Sequence, residues 1–186
     1  HVNGAKEIVD VVNFCEALGI SKLVIVNGRE AHIVADVLVK NNVPVIIDRS
    51  HKLPSHNDED IHLPFKRANA LSKAGVTICI GIQGQMERMN TRNLPFYAGT
   101  FAAYGLGKEE ALKLITSNTA KILGIDDIVG TLEVGKHATL FISVGDALDM
   151  RTNILTKAFI QGRELSLETH QTELWKRYMT KYESQK

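Results

Sequence analysis

Three short runs in this chain, Leu23-Val24-Ile25-Val26, Val45-Ile46-Ile47 and Val76 to Ile82, are apolar at nearly every position. A strand with one wet face alternates apolar and polar residues, whereas a strand covered on both faces does not. These runs therefore read as parallel strands sandwiched between helices. The stretches between them carry the helical period. Ile8, Val11, Val12, Cys15 and Leu18 share one face ahead of Gly19, which suits a left-handed cap. Ala31, Val34, Ala35 and Leu38 form a second stripe, and Pro64 to Ala74 a third, closed by Gly75. Strand and helix alternate at a spacing of roughly 20–30 residues, which is the signature of an α/β fold.

Further helices are expected over Pro95 to Tyr104 and Lys108 to Ile115, and a short one capped by Asn118 and ending at Gly124. The texture then changes. Glycines 130, 135, 145 and 162 punctuate β-rich runs at Ala138 to Val144 and Ile154 to Ile160, which reads as part of a small antiparallel sheet. Leu167 to Tyr182 is amphipathic, with Leu174, Trp175, Tyr178, Met179 and Tyr182 on one side, and that stripe reads as a docking face. The domains expected are residues 1–124, 125–165 and a terminal helix over 166–186.

Charge narrows the function classes. The 186 residues include 22 Lys and Arg against 21 Asp and Glu, for a formal charge of +1. A nucleic-acid surface needs a clear cationic excess, so no nucleic-acid partner is expected. No apolar run approaches the ~18–20 residues of a bilayer-spanning helix. Cys15 and Cys79 both lie in apolar stretches and read as two buried thiols. The chain opens on His1 in place of Met, which reads as a processed chain or a fragment of a longer protein, with any address signal outside it.

Two loops hold chemistry-bearing residues. The loop after the second strand places His51, His56 and His62 among Asp58, Glu59 and Asp60. Loops at that end of such strands form active-site rims, so contact with a substrate or metal is one reading. A solvated surface loop is the plainer one, since none of the short i, i+2 or i, i+4 ligand spacings occurs between the histidines. The loop after the third strand, Ile82 to Asn93, holds Arg88 and Arg92, whose planar forks suit a carboxylate on a small-molecule substrate. The alternative is a flexible loop. His32, His137 and His170 are isolated and read as surface or cap residues.

The stretch Ile115 to Ser143 (ITSNTAKILGIDDIVGTLEVGKHATLFIS) resembles the C-terminal signature of the metal-dependent amidohydrolases, in which a T-x-N-P-A-x-x-L-G segment precedes an I-G-S-L-x-x-G-K-x-A-D-L run. LPFYAGTFAAYGLGKEEALKLI, from Leu94, resembles the preceding segment of imidazolonepropionase-like members. The opening HVNGAKEI is similar to the end of the family's fifth strand, where a ligand histidine sits. The resemblance implies the C-terminal half of a TIM-type (β/α)8 barrel, strands five to eight, with part of a small β-sandwich and a C-terminal helix. It also implies a parent that hydrolyses carbon–nitrogen bonds of amides or cyclic amides through a water activated by zinc or a similar divalent metal.

The departures fall on the metal-ligand positions. His1 matches the strand-five ligand. Asn27 stands where the strand-six histidine belongs, and Gln83 where the strand-eight aspartate belongs. A neutral amide is a weak ligand and has no proton to shuttle. Thr119 and Thr139 replace a proline and an aspartate of the signature. Four-ligand zinc is worth ~10–16 kcal/mol, so one histidine alone binds in about the millimolar range. The expectation is a fragment without catalytic residues or a metal of its own. A catalytically inactive binding or scaffold module is the alternative. Its expected partners are the missing N-terminal half and a second copy of the chain.

Overall fold

A computed structural model describes residues 1–84 and 86–184, with the backbone alone for Arg88. Two sheets organise the chain. The first holds β1 (Ile25–Asn27), β2 (Val45–Ile47) and β3 (Ile78–Ile80), in that order and all parallel. Ile25, Val45 and Ile78 stand side by side, as do Asn27, Ile47 and Ile80. Val2 adds a parallel bridge to Asn27, donating to the Val26 carbonyl at 3.3 Å and accepting from Gly28 N–H at 2.9 Å. The chain start thus lies beside β1.

Helices connect the strands. α1 (Ala5–Ala17) runs between Val2 and β1. A 3-10 turn (Ala31–Val34) leading into α2 (Ala35–Lys40) joins β1 to β2, and α3 (Leu63–Lys73) joins β2 to β3. The core forms where these helices meet the sheet. Ile8, Val12, Leu38, Ala68 and Leu71 from the helices join Ile25, Val45, Ile47 and Ile78 from the strands, all at 2% exposure or less. Parallel strands were expected to be covered on both faces. Only β3 is: Ile78, Cys79 and Ile80 are all buried, whereas the registered pair Val26 and Ile46 is half-buried. Among the described residues Val26 and Ile46 mark the less covered face of the sheet.

After β3 come a 3-10 segment (Glu87–Asn93), α4 (Leu94–Phe101), a π turn (Ala102–Leu106), α5 (Lys108–Lys113) and α6 (Ser117–Leu123). Asn118 does not cap α6. It lies within the first turn, and its Nδ2 donates to the Ile78 carbonyl at 3.1 Å, tying the helix to β3. The second sheet is antiparallel, in the order β4 (Leu140–Ser143), β5 (Leu155–Ile160), β6 (Arg163–Glu164). Leu148, from the β4–β5 connection, reaches the main core at 8% exposure. α7 (His170–Glu183) starts from a capping box in which Thr169 and Thr172 exchange hydrogen bonds, and it buries no residue. Cys79 is buried and Cys15 only half-buried, and both thiols are free. Among the described residues no helix is long and apolar enough to cross a membrane.

Candidate functional site at the strand ends

In parallel α/β folds the loops leaving the C-terminal ends of the strands build the site. The register puts those ends together here. Asn27 closes β1, Asp48 follows Ile47 of β2, and Gln83 comes three residues after Ile80 of β3. His1 precedes Val2 at the same end and is exposed. Asn27 and Gln83 are half-buried, and Asn27 takes a left-handed φ of 81° that asparagine tolerates better than most residues.

Ion pairs knit the rim loops together. Arg49 Nη2 lies 3.0 Å from Glu87 Oε1, joining the loop after β2 to the segment after β3. Glu30 Oε2 accepts the Ala5 N–H at 2.7 Å, and its other oxygen is 3.6 Å from His56 Nε2. Asp48 is buried at 7% exposure, pairs with the Lys52 ammonium and accepts the Arg49 N–H at 3.1 Å.

The three rim histidines have separate partners. The Thr100 hydroxyl donates to the Phe96 carbonyl at 3.0 Å, so its oxygen accepts from His51 Nε2, also at 3.0 Å. That ring packs edge-on to Tyr97, with centroids 5.1 Å apart. His62 Nδ1 lies 3.5 Å from Asp60 Oδ1, and its ring leans on Tyr104, which stacks on Phe65. The Lys66 hydrogen bond, then the His62 backbone N–H, hold the exposed Asp60 carboxyl below its usual range. His56 sits with Glu30, as above. Arg92 is exposed, and the Arg88 side chain lies outside the described residues.

Two residues that matter here, Arg67 and Asp48, were not singled out from the sequence, and a third, His32, lies in a different setting from the surface or cap position expected of it. Arg67 is buried at 6% exposure, and its Nε has no hydrogen-bond partner among the described residues. Burial, then repulsion from Arg29, lowers its pKa, while Glu59 and Asp48 oppose that shift. His32, read as a surface residue, is half-buried with an unpartnered Nδ1. Its pKa is lowered by burial and then by Arg67. A signal for Arg67 was present: it shares the buried stripe of α3 with Pro64, Ala68 and Leu71, where a cation is out of place. Asp48 lies directly after a strand.

A cavity of about 440 Å³ opens at this end, between Arg29, Asp48, Arg49, Lys52 and Arg67. A larger one, about 520 Å³, lies against Thr77 and Ile78 at the start of β3, away from the ends where such folds place chemistry.

A divalent metal needs several anionic or imidazole donors around one point. The positions at which the resemblance implies ligands hold one exposed histidine and two amides, and among the described residues no group of three or more His, Cys, Asp or Glu is placed to hold an ion. These residues do not by themselves fit a metal.

The parallel sheet, its crossover helices and the strand-end cavity are those of a TIM-barrel-type α/β fold. An amidohydrolase from Thermotoga maritima matches with a TM-score of 0.74 and 28% identity, over 89% of this chain and 42% of that one. An adenosine deaminase from Xanthomonas campestris with bound zinc matches with a TM-score of 0.61 at 20% identity, over 95% of this chain and 48% of that one. The imidazolonepropionase of Symbiobacterium thermophilum is 33% identical over 88 residues, 44% of this chain and 20% of that protein. The amidohydrolase family model matches residues 3–165, and the chain belongs to that family. It spans less than half the length of these relatives.

Proposed function

We propose that this chain supplies strands five to eight of an amidohydrolase barrel, in a protein that hydrolyses a carbon–nitrogen bond of a small non-peptide amide or cyclic amide. The observation that carries the reading is the in-register convergence of Val2, Asn27, Ile47 and Ile80, which brings His1, Asn27, Asp48 and Gln83 to one end. The half-buried Val26 and Ile46 support it, since in a closed barrel that face would pack against the remaining strands. Strands one to four would come from polypeptide outside these 186 residues. Residues 1–124 would be barrel, 125–165 sandwich strands and 166–186 a terminal helix.

In this division of labour the chain binds and orients. Gln83 offers one donor and one acceptor to an amide substrate. Asp48, fixed by Lys52 and the Arg49 backbone N–H, supplies a negative charge at the strand ends. The amides at positions 27 and 83 favour a second reading, a barrel that keeps its pocket without the chemistry.

One pair of measurements separates the readings. The chain alone and the longer protein that carries it are dialysed against a weak chelator, their metal content is read by plasma mass spectrometry, and both are assayed on a panel of cyclic amides and N-acyl amino acids. Turnover and bound metal in the longer protein only is the expected result. A longer protein without turnover leaves the pocket-only reading, and stoichiometric zinc in the chain alone overturns the assignment of its ligand positions.

A further inference from the structure

The cavity beneath the loop after β2 has a charge imbalance that the fold does not explain. Four of its lining residues are cations, Arg29, Arg49, Lys52 and Arg67, and one, Asp48, is an anion. Arg49 is engaged by Glu87, and Lys52 by Asp48. Arg29 and Arg67 have no salt bridge among the described residues. Arg29 is exposed, whereas Arg67 is at 6% exposure with its Nε unpartnered.

A guanidinium taken out of water loses hydration that only an anion or several acceptors can replace. Its cost is tolerated where a ligand returns the interaction. The placement agrees: Arg29 follows Asn27 at the end of β1, Asp48 follows β2, and Arg67 reaches the same cavity from α3. We propose that Arg67 and Arg29 form a binding site for the carboxylate of a small molecule. The guanidinium fork matches a planar carboxylate with two parallel hydrogen bonds. Asp48 argues against phosphate, because a dianion would face a fixed negative charge across the same cavity. At about 440 Å³ the space exceeds what a carboxylate alone needs and lies within the usual range for small-molecule pockets. This assignment deepens the hydrolase reading and rests on it for calling the bound molecule a substrate.

The test is binding without turnover. Isothermal titration calorimetry at fixed ionic strength compares N-acetylglycine, its neutral primary amide and inorganic phosphate as ligands. The unmodified longer protein that carries this chain is expected to bind N-acetylglycine saturably, the amide not at all and phosphate more weakly. Arg67→Met is expected to weaken N-acetylglycine by about tenfold or more, the loss of a charge-assisted bidentate contact. Arg67→Lys keeps the charge but not the fork and should recover part of that loss. Arg29→Ala, on an exposed residue that the core does not need, gives a several-fold loss even if Arg67→Met fails to fold. Equal affinity in the unmodified and Arg29→Ala proteins, phosphate binding tighter than N-acetylglycine, or no saturable binding would each overturn the assignment. Intact binding with no turnover in the longer protein would sink the hydrolase reading alone, and turnover without carboxylate binding would sink this one alone.

Discussion

Gly130 and Gly135 both sit in the run IVGTLEVGK, and both have positive φ, 101° and 95°. Their surroundings differ. A Cβ at Gly130 would lie 2.6 Å from Ala120 Cβ, 3.2 Å from Ser117 Cα and 3.4 Å from the Thr116 carbonyl oxygen, so the loop crosses the start of α6 at backbone distance. At Gly135 nothing lies within 4 Å. Alanine at such a φ costs ~1–2 kcal/mol at either position. Overlap with a packed helix adds ~1–3 kcal/mol at Gly130 alone, because neither Ala120 nor the α6 backbone can rotate away. Gly130→Ala should therefore lose ~2–5 kcal/mol and Gly135→Ala only ~1–2. Urea unfolding followed by circular dichroism reads both from the midpoint at constant m-value. The double variant Gly130→Ala/Ala120→Gly removes the closest atom and should recover part of the contact loss, visible as a favourable coupling energy. Equal losses at the two glycines, or no coupling with Ala120, would refute the close approach.

Three further outcomes are expected. Asn118→Ala removes the donor to the Ile78 carbonyl and should cost ~1–2 kcal/mol, measured by the same urea titration, with no loss if that bond is unimportant. His32 has a folded pKa below its unfolded value, so stability is fully present above the unfolded pKa and falls as pH drops through it towards the folded one. His32→Gln should flatten that fall between neutral and mildly acidic pH in unfolding curves, and an unchanged slope would show that another group titrates. The half-covered face at Val26 and Ile46 should make the isolated chain self-associate, and a clean monomer by sedimentation equilibrium at high concentration would count against an open barrel half.

The strands and most helices were legible because their signals are local. The apolar run at 45–47 coincides with β2, and Gly19 takes the left-handed conformation expected after α1. What failed depended on tertiary context. Asn118 has the chemistry of a cap, but the approach of β3 offered its amide a carbonyl 40 residues away in sequence. Tyr104 and Gly105 broke the expected helix over Pro95 to Tyr104 into α4 and a π turn, Gly105 taking a φ of 103°. The strand ends were placed together by parallel order alone. The histidine loop was visible as chemistry, but its dispersal on Thr100, Glu30 and Asp60 came from side chains remote in sequence or from turn geometry. Arg67 lies in a stripe of α3 whose other buried members, Pro64, Ala68 and Leu71, carry the apolar period, so its cation was masked by the pattern around it.

α7 has a different bearing. It buries no residue, and Trp175 and Tyr182 stand at 62% and 60% exposure. Its order rests on the Thr169–Thr172 box and the Glu168–Lys176 pair, all within reach of its own first two turns. A 14-residue helix with no buried residue is marginal in water. Its backbone amides should therefore exchange with deuterium orders of magnitude faster than those of β2 and β3, and at a rate indifferent to Gly130→Ala. Heating would melt it as a gradual slope ahead of the cooperative step, so ellipticity and Trp175 fluorescence would report a softer event than the unfolding of the core.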